Sequence, residues 1–227
     1  MITIQPTSID FLKQLKKNNN RDWFNEHKNR FTEEQDKIAA FADALLKEMN
    51  KHDVIDTVSG KKSLFRIYRD TRFSNDKTPY KCHFSGSFTR ASKSRRGGYY
   101  FHIEPGNSII AGGFWNPDPK DLKRIRDEFA ADATPMRKIL KSKSFVNTFG
   151  KMDGEQVKTT PKGYDAASPA IDLLRYKQFL LYKNFSDKEV LSNDFLKQAN
   201  DTFKNMRPFF DYMSEVLTTD MNGLSLL

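Results

Sequence analysis

Cysteine is almost absent from this 227-residue sequence: Cys82 stands alone. No intrachain disulfide can form, and no zinc site built on several thiolates can be assembled. A reducing compartment follows, and the chain is read as cytoplasmic. Histidine is scarce too, with four residues and no pair at the helical spacing of a metal-binding motif. Glycine-rich phosphate loops and the serine-hydrolase elbow are also missing. Apolar runs are short, Phe179 to Tyr182 being typical, against the roughly 20 residues that a bilayer requires. The opening Met1-Ile-Thr-Ile-Gln-Pro has no basic region followed by an apolar one, so neither export nor membrane insertion is expected.

Aromatic residues, by contrast, are plentiful, with 19 Phe and 8 Tyr, and the 30% of charged residues are distributed among apolar ones. That mixture is globular rather than disordered. One core can bury roughly 70% or more of the unfolded surface at this length, so a single domain over 1–227 is expected. The net charge of +9 is concentrated: residues 51–100 hold 12 cations and 4 carboxylates, whereas residues 1–50 are balanced and 101–227 nearly so. A localised positive field that attracts anions is the consequence.

The periodicity predicts an α+β fold, with an antiparallel β-meander of about four to five strands packed against N-terminal and C-terminal helices. Helices fill 8–51. Phe11, Leu12 and Leu15 share one face, the Asn18–Asn20 run stops the first helix, and Arg21 to about Lys51 reads as a long amphipathic helix jointed at Thr32. Over 63–115 the period changes to two. Strands are expected at Leu64–Arg69, from Cys82 to Thr89, at Tyr99–Glu104, and at Ile109–Trp115 after the turn residues Pro105-Gly106-Asn107. The remainder, 118–217, reads as helical, with segments from Asp118, from Pro135 and from Ser168-Pro169, an irregular loop over 150–167, and a break at Pro208.

The densest reactive segment runs from Arg66 to Lys81, with five cations and two carboxylates. Its Ser74-Asn75-Asp76 centre and Pro79 mark a loop between strands. Arg66, Arg69, Arg72, Lys77 and Lys81 could there converge on phosphate or carboxylate oxygens. Asp70 and Asp76 would orient the cations, and Tyr80 would donate a hydrogen bond, or a proton if surrounding positive charge lowers its pKa. The same residues equally suit a structural corner in which Arg69 and Arg72 pair with Asp70 and Asp76. Three functions follow: a binding or catalytic site for a small anion, a nucleic-acid accessory protein, or an interaction module without enzymatic activity.

A second basic patch, Arg90, Lys93, Arg95 and Arg96, surrounds a hairpin tip that could contact a nucleic-acid backbone. His83, His102 and Glu104 are the one histidine and acid grouping that neighbouring strands could unite. A hairpin centred on a residue puts them on opposite faces, so no metal and no cofactor is assigned.

The string Arg66-x-x-Arg69-Asp70-x-Arg72-Phe73-x-x-Asp76-Lys77-x-x-Tyr80 resembles the signature of the bacterial family known as domain of unknown function 2461. Further stretches are similar to that family: Asn19 to Phe24, Gly98-Tyr99-Tyr100 to Glu104-Pro105-Gly106, Gly112 to Trp115 with Pro117, and Pro161 to Tyr164 leading to Leu173–Lys177. The resemblance implies one α+β domain in a bacterial cytoplasm and carries no activity. It adds Trp115 and Lys177 as further ligand-binding candidates, an aromatic ring and a cation suited to a nucleotide-like ligand.

Overall fold

The computed structural model describes residues 2–220 and 223–227. The fold is α+β, with a four-stranded antiparallel sheet in the order β1-β2-β3-β4. Its strands are β1 (Phe84–Thr89), β2 (Gly98–Ile103), β3 (Ser108–Phe114) and β4 (Phe179–Phe185). Along β2 the odd-numbered residues Tyr99, Phe101 and Ile103 are buried, while Tyr100 and His102 lie on the opposite, half-buried face. This is the period-two alternation of a pleated strand.

The N-terminal helices are α1 (Pro6–Lys17), α2 (Arg21–Glu26) and α3 (Lys28–Met49). Proline begins α1 where its missing N–H costs nothing. Asn20 caps α2 by accepting from the Trp23 amide at 3.0 Å. The joint of the long amphipathic stretch falls at His27, not Thr32. His27 Nδ1 lies 2.8 Å from the Trp23 carbonyl oxygen and its ring stacks on the Trp23 indole at 4.1 Å, and its backbone departs from helical geometry. Thr32 sits inside α3, its hydroxyl donating to the Lys28 carbonyl at 3.1 Å.

Two expectations about strands are corrected. Leu64–Arg69 forms no strand, only the isolated bridges Leu64↔Gly86 and Tyr68↔Tyr80. The ladder loses register: between the Phe65–Ser85 and Ile67–Lys81 hydrogen bonds, the first limb advances two residues and the second four. The surplus is taken up in bends at Cys82 and His83. The second correction is β4, which occupies part of the region read as helical. The Ser168-Pro169 segment yields only the single turn α8 (Ile171–Leu174). Phe179, Leu181 and Phe185 are then buried at a spacing of two or four, while Tyr182 and Asn184 are exposed, a strand pattern.

The other helices are α4 (Gly60–Ser63), α5 (Pro119–Ala131), α6 (Thr134–Leu140), α7 (Lys143–Phe149), α9 (Asp187–Val190) and α10 (Phe195–Thr218), which continues through Pro208. Asp118 caps α5 through the Lys120 and Asp121 amides at 2.8 and 2.9 Å. No helix among the described residues is long and apolar enough to cross a membrane.

The chain clusters into two compact units, each assembled from separate stretches. The first gathers Met1–Phe88, Tyr100–Ile110 and Asn184–Asp201. In it Phe11 and Phe31 pack on Phe84 at 6.4 and 6.1 Å, and Phe41 stacks on Phe195 at 5.4 Å. Each fully buried ring of this kind contributes roughly 1.5–3 kcal/mol of transfer free energy. The second unit gathers Thr89–Tyr99, Ala111–Lys183 and Thr202–Leu227. Tyr99 meets Phe203 and Phe210 edge-on, both at 4.9 Å. Gly113 adopts a φ of 141° there, and a β-carbon would collide with the Phe179 carbonyl of β4, so only glycine fits.

Candidate functional site

Arg66 to Lys81 forms an irregular excursion of the first unit, closed at its base by the Arg69 amide to the Pro79 carbonyl at 2.9 Å and the Lys81 amide to the Ile67 carbonyl at 2.8 Å. Asn19 anchors the returning limb. Its side chain donates to the Tyr80 carbonyl at 2.9 Å and accepts from the Tyr80 amide at 3.1 Å, a two-bond clamp that mimics a strand neighbour. Tyr80 itself is buried and stacked on Phe24 at 4.0 Å. Burial and the neighbouring Tyr68 push its phenol up, only partly offset by Arg21. This is the reverse of the lowering expected of a proton donor in a positive field.

The cations divide by what they touch. Arg69 Nη1 meets Asp76 at 2.5 Å, the Thr78 carbonyl at 3.2 Å and the Thr78 hydroxyl, so it laces the loop shut. The Thr78 amide, then Arg69 and the Thr78 hydroxyl, hold the Asp76 carboxyl down at about 2. Arg72 grips Asp70 with two parallel bonds of 3.0 and 2.7 Å, which lower the Asp70 pKa. Lys77 donates to the Thr71 carbonyl at 2.9 Å and Lys81 to the Arg66 carbonyl at 3.0 Å, so neither charge meets a carboxylate through these bonds. The Arg66 guanidinium is exposed and makes no hydrogen bond or ion pair among the described residues. Burial, and after it the charge of Arg66, lowers the Lys81 pKa. The tip is aromatic as well as cationic: Phe73 is 96% exposed and Tyr68 50%.

Next to Lys81 the structure brings together side chains that sequence reasoning had separated. His83 follows the register slip, and its ring packs on that of His102 with centroids 4.0 Å apart. His102 Nε2 lies 3.1 Å from Glu104 Oε2, and His102 Nδ1 lies 2.9 Å from the Tyr100 hydroxyl. Asn107 donates to the same Glu104 oxygen at 2.9 Å. One potential ligand atom from each of His83, His102 and Glu104 falls within 4.8 Å of the others. The expectation of opposite faces is thus overturned: Phe88 packs on Phe101 across the β1–β2 pair, and in that register His83 shares the face of Tyr100 and His102. Burial, followed by the charges of His102 and Lys81, drives His83 down to about 4 despite Glu104. Tyr100 and Asn107 went unnoticed, although Tyr100-x-His102-x-Glu104 at period two already places three polar side chains on one strand face.

Trp115 and Lys177 belong to the second unit. The indole is 71% exposed, and Lys177 pairs with Glu155 at 2.7 Å. The second basic patch is smaller than its sequence implies. Arg90 is buried, donating to Asp211 at 2.6 Å and to the Arg96 carbonyl at 3.0 Å, and Arg96 pairs with Asp121. The second unit also holds two open clefts, of about 490 and 350 Å³. Neither is lined by a residue of the cationic segment or the histidine cluster.

No curated protein and no solved structure matches the chain. The family model described as "Conserved hypothetical protein (DUF2461)" matches residues 7–212, which take in the Asn19 clamp, the whole Arg66–Lys81 excursion and the histidine cluster. By that match the chain belongs to the DUF2461 family.

Proposed function

We propose that this protein binds a small ligand bearing a phosphate or carboxylate, at the surface formed by Arg66 and Lys81, close to His83. The observation that carries this reading is the like-charged pair: the Arg66 guanidinium is unpaired and the Lys81 ammonium rests on a carbonyl. An anion seated between them would relieve their mutual repulsion and gain charge-assisted hydrogen bonds. Arg69, Arg72, Asp70 and Asp76 are assigned to loop architecture, and Tyr80 to the core. The exposed Phe65 ring, 5.8 Å from the Lys81 ammonium, offers an apolar flank for the rest of such a ligand.

A thermal-shift panel of nucleotides, sugar phosphates, carboxylates and short oligonucleotides tests the proposal on wild type, Arg66→Ala and Lys81→Ala. A ligand at 100 times its Kd adds about 2.7 kcal/mol, or roughly 5–10 °C for a chain of this size. Stabilisation by one small-anion class, lost in both variants, is the expected result. Equal stabilisation of wild type and both variants, or none across the panel, refutes it.

A second reading is favoured by the aromatic tip: Phe65, Tyr68 and Phe73 are exposed among Arg66, Arg72 and Lys77. Base stacking on such rings, with cations along the backbone, is how single strands are held without sequence preference. Stabilisation by oligonucleotides alone, falling steeply with salt at a log–log slope of about −0.7 per phosphate neutralised, would establish that reading instead.

A further inference from the structure

We infer that His83, His102 and Glu104 form a binding site for a single divalent transition-metal ion of the zinc class. Two imidazoles and one carboxylate are the donor set of many such sites, and here one ligand atom from each already lies within 4.8 Å of the others. Bonds of about 2.0–2.2 Å at tetrahedral angles put ligand atoms roughly 3.3–3.5 Å apart, so side-chain rotation without backbone rearrangement closes the site. His102 Nε2 and Glu104 Oε2, at 3.1 Å, are at that separation now.

The surroundings are those of a built site rather than a chance encounter of polar side chains. The His102 and Glu104 side chains are 12% and 20% exposed, which holds them in place and restricts competing water. Two of the three ligands have an outer partner. Tyr100 meets His102 Nδ1 at 2.9 Å and Asn107 holds Glu104 at 2.9 Å. For Nε2 to bind a metal, the ring proton must sit on Nδ1 and be donated to the Tyr100 oxygen. This arrangement, in which the second ring nitrogen is oriented by a fixed partner, is general for metal-bound histidine. Cys82 takes no part, its sulfur being engaged by Asn19 at 3.3 Å.

Three protein ligands leave one tetrahedral position open, the pattern of sites that bind water or a substrate oxygen rather than of closed structural sites. The charge of Lys81 acts on His83, so an anionic oxygen entering that position would find a cation nearby. The metal inference does not depend on anion binding, and the two fail separately.

The test uses the untagged full chain, treated with chelator and titrated with zinc chloride by isothermal calorimetry. One ion per chain at micromolar Kd or tighter is expected, weakened at least 100-fold in His102→Ala and His83→Ala. Tyr100→Phe should weaken binding by about tenfold, the effect of losing an outer partner. Circular dichroism in chelator establishes that each variant is folded. Should a histidine variant fail to fold, Glu104→Gln carries the test, since it keeps the shape and a hydrogen-bonding oxygen while removing the charge, and a loss of at least tenfold is expected. Absence of binding, a stoichiometry other than one, or affinity unchanged in the folded variants overturns the inference. Zinc binding with a silent anion panel leaves it standing and removes only the proposed function.

Discussion

Replacing Glu34 with alanine should destabilise the first unit by about 3 kcal/mol, although the residue lies in the middle of a helix that sequence periodicity treats as ordinary. The Glu34 side chain is 3% exposed and accepts from Ser8 at 2.7 Å, Thr7 at 3.1 Å and Lys37 at 2.9 Å, tying α1 to α3. Hydrogen bonds to a buried charge are worth roughly 1.5–3 kcal/mol each, but Lys37 is 41% exposed and its share is screened to below about 1 kcal/mol. Truncation also leaves the fully buried Ser8 hydroxyl without its acceptor, at a cost of about 1–3 kcal/mol. Urea unfolding followed through Trp23 fluorescence measures the change as a shift in midpoint at constant m. The pH dependence gives a second check. Burial alone would raise the Glu34 pKa, but the bonds from Lys37, Ser8 and Thr7 outweigh it and hold the group below its ordinary value. A depressed folded pKa stabilises above the unfolded pKa, and that stability is lost as pH falls through the folded value. The gap between wild type and Glu34→Ala should therefore narrow on acidification below about pH 4. A destabilisation under about 1 kcal/mol, or a gap that widens in acid, refutes the reasoning.

The two arginines that open the signature string should behave differently. Arg69→Ala removes the lace to Asp76 and Thr78 and should raise amide hydrogen exchange across 70–78 by tenfold or more. Arg66→Ala should leave exchange unchanged while abolishing anion binding, and the opposite pattern would reverse their roles. Gly60→Ala should cost more than about 2 kcal/mol in urea unfolding, because the added carbon meets the Ala39 carbonyl and the Asp43 amide, backbone atoms that cannot turn aside. Stability within about 0.5 kcal/mol of wild type would show that α4 is free to move away from α3.

Local signals were legible where one residue type enforces one geometry. The Asn20 cap and the strand over Phe84–Thr89 follow from chain stereochemistry, and the structure has both. The region from Ile171 to Phe185 was misread because a helical start signal at Ser168-Pro169 outweighed the brief alternation behind it. Of the cationic segment, the sequence displayed the excess charge but not its allocation. Which arginine closes the loop and which is unpaired depends on where Asp76 and Thr78 return, and spacing alone does not encode that.

What the sequence determined by itself was therefore the class of fold, the family, and the place along the chain where positive charge accumulates. Each is a property of composition or short-range order. Only the tertiary structure decided that Tyr80 is core, that Arg90 is buried, and that His83 meets His102 and Glu104. The last of these turns on the register in which β1 pairs with β2, shown by Phe88 packing on Phe101. A register shift of one residue changes which face a side chain occupies while leaving every local preference intact, so long-range pairing alone could fix it.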